Sequence, residues 1–241
     1  VYKRQTSNSG MLSLNVLPIA FRYSRGELGA VGSLVLRLNG PSEVPEDTFI
    51  IVKDIIHSMN IVLNQIVPGL TIDIMDLGPT VSINGTKSHT FQLMSNKNDK
   101  QIPLCYESEG IKKIISILQL FIIMYNVSSI TIAIDELDSG IFEYLLGELL
   151  RILSEKGKGQ LIFTSHNLRP LETIDRGFIA FTTTNPNNRY IRLTNIKENN
   201  NLRDFYFRDI VLGEQSEEVY DTTNNSEIAL AFREVGEAIG S

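Results

Sequence analysis

The sequence predicts an α/β fold with parallel core strands, helices on both faces and an antiparallel β meander ahead of them. Three observations predict it. Residues 130–134 and 161–164 are short apolar runs joined by a helical segment, the pattern of a parallel crossover covered on both faces. Residues 46–67 carry apolar side chains at helical spacing. Residues 70–104 alternate with period two and are broken by glycine turns.

Taken in order, residues 1–5 are what GTG-TAT-AAG-AGA-CAG encodes, which resembles a transposon end used to fragment DNA for sequencing. We expect a translated adapter there, with the native frame starting further upstream; a plain basic N-terminus is the alternative. Residues 11–38 are apolar but punctuated by Gly26, Gly29 and Gly32, and are expected to form a strand or turn leading into a buried helix. Phe49, Val52, Ile55, Ile56, Met59, Val62, Leu63 and Ile66 then mark an amphipathic helix. Glu46 and Asp47 favour its positive N-terminus, and Pro68-Gly69 stops it.

Residues 71–76 alternate, Gly78-Pro79 predicts a turn, and Asn84-Gly85 predicts a hairpin. Residues 91–94 give a further strand before a polar loop over 95–101. A helix is expected at 110–126, a buried strand at 130–134, a helix at 141–154 and a second buried strand at 161–164. Terminal strands at 177–183 and 190–194 flank an asparagine-rich turn, followed by short helices at 203–212 and 228–239.

The net charge of −6 argues against a surface built mainly to hold nucleic acid, though it leaves room for a local basic patch. One cysteine, Cys105, allows no internal disulfide and is expected to be a small buried residue. No uninterrupted apolar run reaches the about 18 residues of a membrane span, and no signal peptide is visible, so a cytoplasmic protein without membrane contact is expected. His57 is expected to be structural and His89 solvated.

The chemistry concentrates at Asp135-Glu136, which end the first buried strand. Adjacent carboxylates at the carboxyl edge of a parallel sheet repel and lose hydration unless something cationic or protic uses them. That edge is also where open α/β sheets bind ligands. Capping of the following helix is the plainer alternative. His166 follows the second strand at the same edge, where it is either a phosphate sensor or a loop residue. Ser108 and Gly110 open the long helix that feeds the acid-bearing strand, with Lys112 and Lys113 next in line. A serine and a glycine at a helix N-terminus make an anion site, or a simple cap with solvated lysines.

Together these residues resemble the ABC ATPase superfamily, most closely its AAA-labelled bacterial branch related to the overcoming-lysogenization-defect and recombination-repair ATPases. The resemblance covers roughly residues 103–183 and implies a P-loop NTPase fold, of which this chain is the C-terminal portion. It implies that Asp135 is the Walker B aspartate associated with Mg²⁺, Glu136 the catalytic glutamate and His166 the switch histidine. It also implies that Ser108, Gly110 and Lys112 belong to the signature that contacts ATP bound to the opposite subunit of a homodimer. Residues 103–241 would then be the signature, Walker B and switch-histidine portion, and 6–102 a partial N-terminal lobe. DNA or a neighbouring effector protein would be the further partner.

Several departures qualify the match. Glu109 and Ile111 stand where the signature usually has Gly and Gln. Leu137 stands where transport-type subunits have Pro, and Phe142 where they have Asp, which disfavours a transporter. Asp138-Ser139-Gly140 is left as the candidate D-loop. The string Gly-x-x-x-x-Gly-Lys-Ser/Thr occurs nowhere in the chain, so the isolated fragment is expected to be inactive.

Overall fold

The structure is a computed structural model describing residues 16–25, 28–81, 85–98, 100–192, 201–212, 216–221 and 223–239. Residues 1–5 lie outside them. The chain divides into two compact units, Val1–Asn167 and Leu168–Ser241.

The first unit opens with an antiparallel hairpin, β1 (Val16–Arg25) and β2 (Leu28–Arg37), paired from Val16↔Arg37 to Arg25↔Leu28. This corrects the expected helix: Leu17, Ile19 and Leu36 are fully buried, alternating along the two strands. A short strand, β3 (Ser42–Pro45), leads into α1 (Glu46–Ile66), whose buried face is Phe49, Val52, Ile56, Met59 and Leu63. By length and composition α1 could cross a membrane, but its apolar stripe packs on strand β4 (Leu70–Val81), as a core helix does. Asn60 ties the two together: its amide donates to the Ile72 carbonyl at 2.8 Å and accepts the Ile72 N–H at 2.7 Å. His57 on the same helix is exposed, not structural.

Strand β4 pairs with β5 (Lys87–Lys97), which also pairs with β3 and with β6 (Lys100–Pro103), all antiparallel. Gly78-Pro79 is not a turn. The register shifts between Asp76 and Gly78 while the strand continues to Val81, so Leu77 is the extra residue of a bulge, and Gly78 takes φ +100°. Of the polar segment, residues 95–97 and 100–101 are likewise strand, with Asn98 at φ +53°, and residue 99 lies outside the described residues. His89 is not simply solvated. It stacks on Phe49 with ring centroids 4.1 Å apart, and its Nε2 lies 2.6 Å from Asp76 Oδ1.

Helix α2 (Glu109–Asn126) packs against β1 and contacts α1. Strand β7 (Thr131–Ile134), helix α3 (Glu143–Lys156) and strand β8 (Gln160–Phe163) follow, with β7 and β8 parallel in the register Ile134↔Phe163. The expected cover on both faces is incomplete. Ile132 and Ile134 are buried, but Ile162 is 55% exposed and Gln160 is exposed. Cys105 is half-buried.

The second unit holds α4 (Pro170–Thr173), the two-residue antiparallel strands β9 (Phe181–Thr182) and β10 (Tyr190–Ile191), α5 (Leu202–Leu212) and α6 (Asn225–Ile239). Most of the strand expected at 177–183 is instead a 3-10 turn (Arg176–Phe178) and irregular chain, while residues 193–194 lie outside the described residues. The asparagine-rich turn is anchored by side chains: Asn185 and Asn188 both donate to Glu217, at 2.8 and 2.9 Å.

Candidate functional site

The site is assembled where β7 and β8 end. Because the strands are parallel and in register, Asp135-Glu136 and Thr164-Ser165-His166 leave the sheet side by side. The Thr164 N–H donates to the Ile134 carbonyl at 3.1 Å, and the Leu137 N–H donates to the Thr164 carbonyl at 3.0 Å, which extends the pairing past the strands. The Thr164 hydroxyl then bridges the two acids. It donates a short hydrogen bond to Asp135 Oδ1 and accepts the Glu136 N–H at 2.8 Å.

Beyond the acids the chain turns sharply. Glu136 sits at φ +47°, a left-handed conformation that costs a residue with a Cβ about 1–2 kcal/mol. Such backbone persists only where the surroundings over-determine it. Here Leu137 is fully buried and Ile141 nearly so, pegging both ends of the turn. The Ser139 N–H donates to the Glu136 carbonyl at 3.1 Å and the Ile141 N–H to the Asp138 carbonyl at 3.0 Å. Asp138 reaches across to the second strand: its carboxylate accepts the His166 N–H at 3.2 Å and the Asn167 N–H at 3.0 Å.

Helix α2 brings its first turn to the same place. Ser108 is its N-cap, with the hydroxyl accepting the Ile111 N–H at 3.4 Å, so the plain capping role is present. Gly110 lies directly against the acid turn: a Cβ there would stand 2.4 Å from the Gly140 carbonyl oxygen. Gly140 itself takes φ +76°. Lys112 is half-exposed, whereas Lys113, one residue on, is 2% exposed and donates from Nζ to the Glu136 carbonyl at 3.2 Å. Burial pushes the Lys113 ammonium below the ordinary lysine range, against the upward pull of Asp138, Glu136 and Asp135.

The fold thus gathers Asp135, Glu136 and the backbone of His166 at one sheet edge, with Gly110 touching the turn after the acids. Asp135, Glu136, Ser108 and His166 are all exposed. Neither acid is spent on an ion pair among the described residues, and there no group of three or more His, Cys, Asp or Glu could cage a metal ion.

By sequence Lys113 reads as a solvated lysine beside an anion site or cap, and the structure corrects this by burying it. Sequence reasoning passed over the bridge made by Thr164 and the tether made by Asp138. Lys113 could have been found: it falls four residues before Ile117, at the start of the run 113–119 that α2 buries.

No family model matches the chain, and no curated protein does. Among solved structures, the chain is similar to an SMC head bound to the C-terminal winged-helix domain of ScpA, at 14% identity and a TM-score of 0.37 over 47% of this chain and 34% of that one. It therefore spans about a third of that structure. It is also similar to an SMC ATPase from work on ATP-driven dimerisation and DNA-stimulated activation, at 11% identity and a TM-score of 0.49 over 70% of this chain and 99% of that one. A third is the SMC head of Pyrococcus furiosus with an extended coiled coil, bound to the C-terminal domain of ScpA, at 12% identity and a TM-score of 0.37 over 52% of this chain and 31% of that one.

Proposed function

We propose that the chain is the signature and Walker B portion of a dimerising ATPase head, working in the cytoplasm, which binds MgATP between two subunits and hydrolyses it. One observation carries this proposal: two adjacent exposed carboxylates end a parallel strand, on a turn held at φ +47°, beside the residues that end the next strand. A turn that served only to cap a helix would have no use for that strain. Asp135 suits Mg²⁺, which takes one or two carboxylates plus phosphate oxygens rather than a protein cage, and Thr164 occupies only its Oδ1. When bound, the metal supplies charge neutralisation on the phosphates. Glu136 polarises the attacking water, and His166 stabilises the γ-phosphate. Ser108, Gly110 and Lys112 face the nucleotide of the opposite subunit.

The string Gly-x-x-x-x-Gly-Lys-Ser/Thr does not occur in the sequence, and this reading requires a phosphate cradle from chain outside these 241 residues. Turnover is therefore measured on the longest reading frame that contains them. There, Glu136→Gln should lower ATP turnover about 100- to 10,000-fold while ATP still binds and the dimer is favoured. Hydrolysis at the wild-type rate would reject the assignment.

The missing Gly-x-x-x-x-Gly-Lys-Ser/Thr string favours one second reading, a non-catalytic scaffold or regulator of a defence or repair complex. A reading frame with no such loop upstream would support it. For the ATPase, salt-dependent DNA binding by the dimer would separate a nucleic-acid machine from one that gates a neighbouring protein.

A further inference from the structure

Two contacts join the N-terminal end of α2 to the turn after the acids, and none of Gly110, Gly140 and Lys113 has been assigned above to water activation or metal binding. One is the van der Waals fit of Gly110 against the Gly140 carbonyl, which leaves no room for a Cβ. The other is Lys113. A lysine with 2% of its surface exposed normally costs folding free energy, and cores of this kind take leucine or methionine at such a position. Its neighbours Ile114, Ile115, Ile117 and Leu118 on the same helix are buried apolar residues. The amine is retained where it donates to one specific acceptor, the carbonyl of the residue in the left-handed conformation.

We propose that Lys113 is a positioning residue for Glu136, pinning its carbonyl so that the backbone carrying the carboxylate stays fixed relative to Ser108 and Gly110. The first turn of α2 and the acid turn then move as one body. A ligand seated on the outer side of that turn would shift Glu136 through Lys113 and Gly140, and a turn left empty would leave Glu136 less well placed. This rests on the ATPase proposal for its catalytic consequence, but the pin is a property of the fold.

The test uses Lys113→Met, which keeps length and removes the donor, beside Lys113→Gln, which keeps an N–H donor without charge. Crystal structures of the variants come first. We expect Lys113→Met to fold, because it removes a buried ammonium, and to show Glu136 displaced from φ +47° with its carbonyl re-aimed; an unmoved Glu136 overturns the pin whatever the protein's activity. In the longest reading frame, Lys113→Met should lower kcat roughly 10- to 100-fold with KM for ATP little changed, the size seen when an outer support is removed, and Lys113→Gln should recover part of it. Wild-type kcat in a folded Lys113→Met protein overturns the positioning role. Failure of the ATPase proposal looks different: the wild type does not turn over, or Glu136→Gln leaves turnover unchanged, while the crystallographic result still decides the pin.

Discussion

Glu136 concentrates the tension between folding and chemistry at a single residue. Its backbone occupies a region that glycine reaches without strain, yet a carboxylate stands there, held by Thr164 at its N–H and by Ser139 and Lys113 at its carbonyl. Replacing the side chain should expose the strain. Glu136→Gly should be more stable than Glu136→Ala by about 1 kcal/mol, because only the alanine keeps the Cβ that clashes. Urea unfolding of the two variants measures the difference, and an alanine variant as stable as the glycine one would show that the turn is not strained. Part of this site was legible in the sequence. Two acids after an apolar run stand out because that pairing is costly without a use. The roles of Thr164 and Asp138 were hidden because each acts across the gap between strands, on partners 28 or 29 residues away in sequence.

At the level of elements, legibility followed periodicity. Helix α1 could be placed within a residue or so because one buried stripe repeats along it, and α2 because its apolar run, buried over 113–119, is too long for a strand. The β1–β2 hairpin was hidden by runs apolar on both faces, which carry no clear period of two or of 3.6. Gly78-Pro79 has the composition of a turn, but the strand absorbs it as a bulge because β5 supplies partners on both sides of the break. That bulge has a measurable electrostatic consequence. The Gly78 N–H, at 2.8 Å, and His89 hold the Asp76 carboxyl below the ordinary aspartate value of 3.8. A folded value below the unfolded one means that its contribution is complete above the ordinary value and is lost as pH falls through the lower, folded one. Asp76→Asn should therefore flatten the acid limb of the stability–pH curve below about pH 4. Thermal unfolding across pH 2–7 checks this, and an unaltered acid limb would remove Asp76 from the account.

Across the whole molecule, the candidate chemistry occupies one edge of a small parallel pair, and the machinery around it is incomplete within the chain. The acids, the histidine-bearing loop and the first turn of α2 are packed together, but no phosphate-binding loop occurs in the sequence. The proposal divides each nucleotide site between two subunits, with Glu136 from one and Ser108 from the other. That division is most directly tested by mixing two inactive variants of the longest reading frame, Glu136→Gln and Ser108→Arg, and following single-turnover ATP hydrolysis. Each variant alone has no intact site. A mixed dimer rebuilds one, from the Ser108→Arg subunit's Glu136 and the Glu136→Gln subunit's Ser108. The account predicts that mixing restores turnover to a substantial fraction of wild type, rising with the share of mixed dimers. Two variants that stay silent when mixed, with dimers confirmed, would contradict a site shared across subunits.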